Sequence, residues 1–179
     1  GLGVNALTEN TIGASNTAVG RFALNANTTA SNNTAVGYNT LLSNTTGTRN
    51  VATGSLALDA NTTGSYNTSM GHASASSNIN GANNSAFGDA SLFKNTSGSN
   101  NTGIGKSALY ANTTASNNTA VGYDSLRANT TGTGNTAVGS NSLDANTTAQ
   151  YNTGVGQNAL GATTTGSNNT AVGLNDADA

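Results

Sequence analysis

Apolar residues in this chain fall in two columns that recur with a fixed step of 17 residues, and the positions between them are small or polar. Each copy is numbered here from the Asn that opens its Asn-Thr-Ala-Val-Gly motif. The first apolar column is then position 4, with Val19, Val36, Met70, Phe87, Ile104, Val121, Val138, Val155 and Val172, and Thr53 as the exception. The second is position 9, with Leu24, Leu41, Leu58, Leu92, Leu109, Leu126, Leu143 and Leu160. Position 5 is Gly in every copy, from Gly20 and Gly37 through Gly156 and Gly173. A short period repeated without insertion is the signature of a solenoid, in which each copy makes one turn and stacks on the next.

Seventeen residues are too few for a pair of helices, and Asn, Thr and Gly are poor helix formers, so the turns are built from strands. The pattern predicts an all-β chain: a parallel β-solenoid of about ten 17-residue coils, forming a single repeat domain over residues 1–179. Two or three short strands per coil are expected, with coils stacked at about 4.8 Å. Alternation within the motif puts positions 2 and 4 on one face and 1, 3 and 5 on the other. The expected core is the Val face together with the Leu column: Val19, Val36, Ile104, Val121, Val138, Val155 and Val172 with Leu24, Leu41, Leu58, Leu92, Leu109, Leu126, Leu143 and Leu160. The Gly at position 5 forms the corner that redirects Leu inward. Position 6 accepts Arg21, Tyr38, His72, Asp89, Lys106 and Gln157 alike, so it faces water, and the Asn-Thr-Thr-Gly tracts at positions 12 to 15 are turns.

Stacking like on like gives the recurrent Asn a physical role, because each amide has a copy of itself one coil above and below. The expected ladder is Asn16, Asn33, Asn50, Asn67, Asn84, Asn101, Asn118, Asn135, Asn152 and Asn169, with a second at position 12. Small residues at position 3 (Ala18, Ala35, Ala52, Ala86, Ala120, Ala137 and Ala171) are expected to point away from the Val face. There they would offer a flat column to another solenoid, so a homo-oligomer is expected, a trimer by preference or else a filament. The chain opens and closes in mid-copy without a distinctive cap, as in a segment of a longer fibrous protein or a filament subunit.

Composition narrows the function classes. Only 7% of the residues are charged and 4% aromatic, with no Pro, Cys or Trp, which is not the make-up of a typical enzyme. A formal charge of -2 with scattered basic residues offers no footprint for nucleic acid. No apolar run is long enough to span a membrane. Gly105-Lys106-Ser107 imitates the end of a phosphate loop, but its earlier Gly falls at Asn100. His72 is the only His and lies in the outward column, and Asp59, Asp144 and Asp178 share position 10 several coils apart, so no metal, cofactor or catalytic residue is expected. Tyr38, Tyr66, Tyr110, Tyr123 and Tyr151 occupy outward or corner columns, where an aromatic can touch a sugar or a host surface.

The Asn-Thr-Ala-Val-Gly-x-x-Ala-Leu pattern resembles the head repeats of trimeric autotransporter adhesins, with their related Asn-Ser-Val-Ala-Ile-Gly motif. It also resembles repeat regions of bacterial and phage fibre proteins with long Asn-Thr-Thr-Gly tracts. The resemblance covers essentially the whole chain, although the adhesin head repeat is shorter than 17 residues. It implies a left-handed β-roll, trimeric assembly and attachment to a host or matrix surface.

The leading expectation is therefore an extracellular or cell-surface fibre or adhesin segment without catalysis. The alternative is ice binding by a stacked array at the turns: Asn27 and Thr29, Asn44 and Thr46, Asn61 and Thr63, Asn112 and Thr114, Asn129 and Thr131, Asn146 and Thr148. The same Asn residues open Asn-x-Thr sequons.

Overall fold

Each copy of the Thr-Ala-Val motif is extended for three residues before Gly ends it. In the computed structural model, which describes residues 1–176, this yields ten strands. They are β1 (Thr17–Val19), β2 (Thr34–Val36), β3 (Val51–Thr53), β4 (Thr68–Met70), β5 (Ser85–Phe87), β6 (Thr102–Ile104), β7 (Thr119–Val121), β8 (Thr136–Val138), β9 (Thr153–Val155) and β10 (Thr170–Val172). They pair in chain order, all parallel, with a register of 17 that sets Thr17 against Thr34 and Val19 against Val36. The chain is thus a parallel β-solenoid, with no helix among the described residues.

One strand per coil is found where two or three were expected. The remainder of each coil is turns, because three non-Gly positions in each regular coil adopt positive φ, as at Asn117 (63°), Asp124 (52°) and Leu126 (50°). Left-handed residues at such short intervals break any extended run. The turns still bond to the coils on either side: Leu24 N–H donates to Thr40 O (3.0 Å), Ala26 N–H to Leu42 O (3.0 Å) and Asn39 N–H back to Arg21 O (3.0 Å). Gly at position 5 is obligatory. At Gly122, φ is +139° and an added Cβ would lie 2.4 Å from the carbonyl oxygen of Gly139 in the next coil.

The Leu column is the core, as expected, with Leu24, Leu41, Leu58, Leu92, Leu109, Leu126 and Leu143 fully buried and Leu160 at 3% exposure. The Val column is not. Val19, Val36, Ile104, Val138 and Val172 are exposed, and Val121 and Val155 are only half-buried. Position 3 lies inside instead, with Ala35, Ala52, Ala86, Ala120 and Ala137 fully buried. The alternation was read correctly but the faces were inverted, and volume is the reason. A Cβ at Gly154, in position 3, would already lie 2.7 Å from Ser142 Oγ and 3.3 Å from Leu143 Cγ. A coil this small encloses one Leu, one methyl and a small residue at position 8; a Val at position 3 does not fit. The Ala column accordingly cannot be the contact between chains.

Candidate functional site

Two polar ladders run inside the solenoid, and they differ. At position 12, amide bonds amide: Asn129 Nδ2 donates to Asn112 Oδ1 (3.0 Å) and also to Gly132 O within its own coil (3.0 Å), while Asn146 Nδ2 donates to Asn129 Oδ1 (2.9 Å). This ladder is continuous from Asn10 to Asn146 and stops where Thr163 replaces Asn, leaving the buried Oδ1 of Asn146 without a partner.

At position 1 the expected amide-to-amide pattern gives way to a side-chain-to-backbone one. Asn135 N–H donates to Asn118 Oδ1 (2.9 Å), and Asn118 Nδ2 donates to Gly132 O (2.8 Å). The same scheme joins Asn33 to Asn16, Asn50 to Asn33, Asn67 to Asn50, Asn84 to Asn67, Asn101 to Asn84, Asn118 to Asn101, Asn152 to Asn135 and Asn169 to Asn152. Only Asn169 adds an amide-to-amide bond, from its Nδ2 to Asn152 Oδ1 (3.2 Å). The position-15 carbonyl thus accepts from both ladders and has both lone pairs occupied.

These ladders overturn the array placed at the turns. Asn27, Asn44, Asn61, Asn112, Asn129 and Asn146 are fully buried, so their amides present nothing to solvent and their sequons offer no free acceptor in the folded chain. Of the array only the Thr half is at the surface: Thr29, Thr46, Thr63, Thr114, Thr131 and Thr148 are exposed. The preceding Thr of each pair turns its hydroxyl along the stack, as in Thr113 Oγ1 to Thr130 O (3.1 Å) and Thr130 Oγ1 to Thr147 O (3.0 Å).

Two outer surfaces carry distinctive chemistry. On the strands, positions 2 and 4 form an outward sheet face, mostly of Thr and β-branched aliphatic residues, with Met70, Ser85 and Phe87 as the exceptions. On the turn at positions 10 and 11, residues of different types meet. Phe93 and Tyr110 stack with ring centroids 5.2 Å apart and planes inclined by 11°, while Lys94 Nζ and Arg127 Cζ lie 5.5 Å and 5.8 Å from the Tyr110 centroid. Arg127 also lies 3.6 Å from Asp124. Sequence reasoning marked Tyr110 singly; it missed the cluster because Phe93, Tyr110 and Arg127 are neighbours only through the 17-residue register. Tyr38, Tyr66, Tyr123 and Tyr151 are exposed and outside this cluster; Tyr66 packs under Arg49, whose guanidinium donates to its hydroxyl.

The isolated candidates stay apart. His72 Nδ1 lies 3.0 Å from Asp89 Oδ1, both at position 6 and both exposed. Asp59 is half-buried and accepts from Ser76 Oγ at 2.6 Å. Burial pushes its carboxyl above the ordinary range, with the Ser76 bond and backbone amides acting in the opposite direction. Asp178 lies outside the described residues. Among the described residues no three His, Cys, Asp or Glu side chains gather as a metal site requires, and no helix is long and apolar enough to cross a membrane. Compared with known proteins, the chain matches no family model, no curated protein and no solved structure.

Proposed function

We propose that this chain is a rigid, non-catalytic segment of a fibre that works outside the cell or at its surface, with a structural or adhesive role. The observation that carries the reading is the uninterrupted register. Strand pairing holds a step of 17 from β1 to β10, and the position-1 ladder holds it from Asn16 to Asn169, whatever the outward residue. A chain organised this way keeps its interior constant and varies its surface coil by coil, which suits a spacer that displays contacts at fixed intervals. The aromatic and cationic cluster at Phe93, Lys94, Tyr110 and Arg127 is the place on that surface best suited to grip a sugar or a host surface.

Self-association, as a trimer or as a filament, belongs to the same reading. With the Ala column inside the coil, any contact between chains falls to the outward side chains, and the support for it is the exact repetition of those outward positions along the stack.

The test combines particle shape with surface binding. Electron micrographs and light-scattering mass are expected to show rods that associate, as trimers or end to end. Tyr110→Ala combined with Arg127→Ala is expected to lower adhesion to glycan-coated surfaces without altering the far-ultraviolet circular dichroism. A monomer that turns over a small substrate, or adhesion indifferent to the double variant, contradicts the reading.

A further inference from the structure

The outer face of the strands differs from the rest of the surface in its regularity. From β6 to β10 every rung presents one Thr and one β-branched aliphatic residue: Thr102 with Ile104, Thr119 with Val121, Thr136 with Val138, Thr153 with Val155, and Thr170 with Val172. Parallel pairing in register sets Thr over Thr and aliphatic over aliphatic. The result is a two-dimensional lattice of hydroxyl and methyl groups, with a repeat of about 4.8 Å between coils and roughly 6.6 Å along each strand. In β3 the two groups exchange places, as Val51 and Thr53, and only in β4 and β5 do the longer side chains of Met70 and Phe87 interrupt the face.

The hydroxyls on this face are free. Thr residues at position 13 spend theirs on the carbonyl of the next coil, as Thr113 does on Thr130, but the outward hydroxyls of Thr102, Thr119, Thr136 and Thr153 have no partner among the described residues. No side chain at position 2 or 4 of any strand is charged. Beside the aliphatic column runs Gly at position 5, which adds no side chain there, and beyond it position 6 carries Lys106, Tyr123, Ser140 and Gln157.

We propose that the outer face of β6 to β10 is an ice-binding surface, whose ligand is the ordered water at the face of an ice crystal. Each free hydroxyl holds one water by a hydrogen bond. The methyl groups between them offer water no bond, so the intervening molecules bond to one another and settle into the period of the rungs. A stiff backbone fixes that period in advance, and the ordering entropy on meeting the crystal is correspondingly small. Charged groups would draw water into shells centred on themselves, and none of the side chains at positions 2 and 4 of these strands is charged. A second copy of the chain is the poorer occupant, because a row of Thr hydroxyls pressed against protein without acceptors loses its hydrogen bonds to water.

This inference does not rest on the fibre reading, and its test uses other residues. Thermal hysteresis and inhibition of ice recrystallisation are measured on the full chain, on Thr136→Tyr in the middle of the face, and on Thr131→Tyr in the exposed turn row. Circular dichroism verifies the fold of both variants. The native chain is expected to inhibit recrystallisation and show hysteresis, Thr136→Tyr to lose most of both, and Thr131→Tyr to keep them. A native chain without either activity, an unaffected Thr136→Tyr, or a loss confined to Thr131→Tyr overturns the proposal. So does a native oligomer that Thr136→Tyr dissociates, since the face would then be a protein interface. Any of these leaves the adhesion of the Tyr110 cluster untouched.

Discussion

The coil over residues 67–83 and the coil over residues 118–134 share one backbone but not one interior. The second is regular: Ala120 and Leu126 are buried, and Ser125 Oγ donates to Ala137 O at 3.1 Å. In the first, Ala75 replaces the Leu, Ser69 replaces the Ala, and the hydroxyls of Ser69 and Ser74 bond to each other in the core. Yet the stacking bonds persist. Thr68 N–H donates to Asn84 O (2.8 Å) and Ala75 N–H to Ser91 O (2.8 Å), just as Thr119 N–H donates to Asn135 O (2.8 Å) and Leu126 N–H to Ser142 O (3.0 Å). Asn78 continues the amide ladder at 2.7 Å. The comparison teaches that Gly and Asn hold the register of this solenoid, while Leu adds stability that one coil can do without.

If so, backbone and ladder substitutions should be equally damaging in both coils, and core substitutions should not. The largest effect is expected for Gly122→Ala and Gly71→Ala. Each Cβ would lie 2.4 Å from a carbonyl oxygen of the next coil, at φ of +139° and +140°. A loss of about 4 kcal/mol or more is expected for both, read from urea denaturation.

Next come Asn129→Ala and Asn78→Ala, which strip a buried Oδ1, that of Asn112 or Asn61, of its donor. About 3 kcal/mol is expected in either coil, measured the same way. The contrast between the coils should appear at position 9. Leu126→Ala is expected to cost about 3 kcal/mol, whereas Ala75→Leu should gain about 1 kcal/mol by supplying the missing side chain. Equal and opposite values in the two coils would mean that the Leu column is uniform, and the distinction would fall.

The smallest effect lies where the irregular coil meets its neighbour, at Asp59 and Ser76. Burial raises the folded pKa of Asp59 above its unfolded value. Its contribution to stability is therefore fully present below the unfolded pKa and is lost as pH rises through the folded pKa. Asp59→Asn should be the more stable form at neutral pH and should lose that advantage in acid. A thermal melt series from acid to neutral pH checks this, and parallel profiles for the two proteins would contradict it.

The period, the parallel stacking, the Leu column and the obligatory Gly were legible in the sequence because each is a property of columns, and columns survive unfolding on paper. Which face of Thr-Ala-Val turns inward was not legible. Apolar area favours Val inside, and only the enclosed volume beside Ser142 and Leu143 shows that Ala must take the place. The burial of Asn129 and its copies was hidden for a related reason: Asn-Thr-Thr-Gly reads as a surface turn until the carbonyl at position 15 is seen to accept from two inward amides. The Phe93 and Tyr110 stack needed the register first, since those residues sit 17 apart and in the same column.

Inward Ala and outward Val in coils stacked seventeen residues apart are the claim on which the rest depends. The chain has no native Cys, so the double variant Val121→Cys, Val138→Cys gives a clean report on two residues paired across β7 and β8. Mild oxidation at low concentration is expected to form one intramolecular disulfide rapidly without loss of the native circular dichroism, since neighbouring strands lie within disulfide reach. Thiols that stay reduced in the folded chain, or that bridge only between chains, would contradict the account.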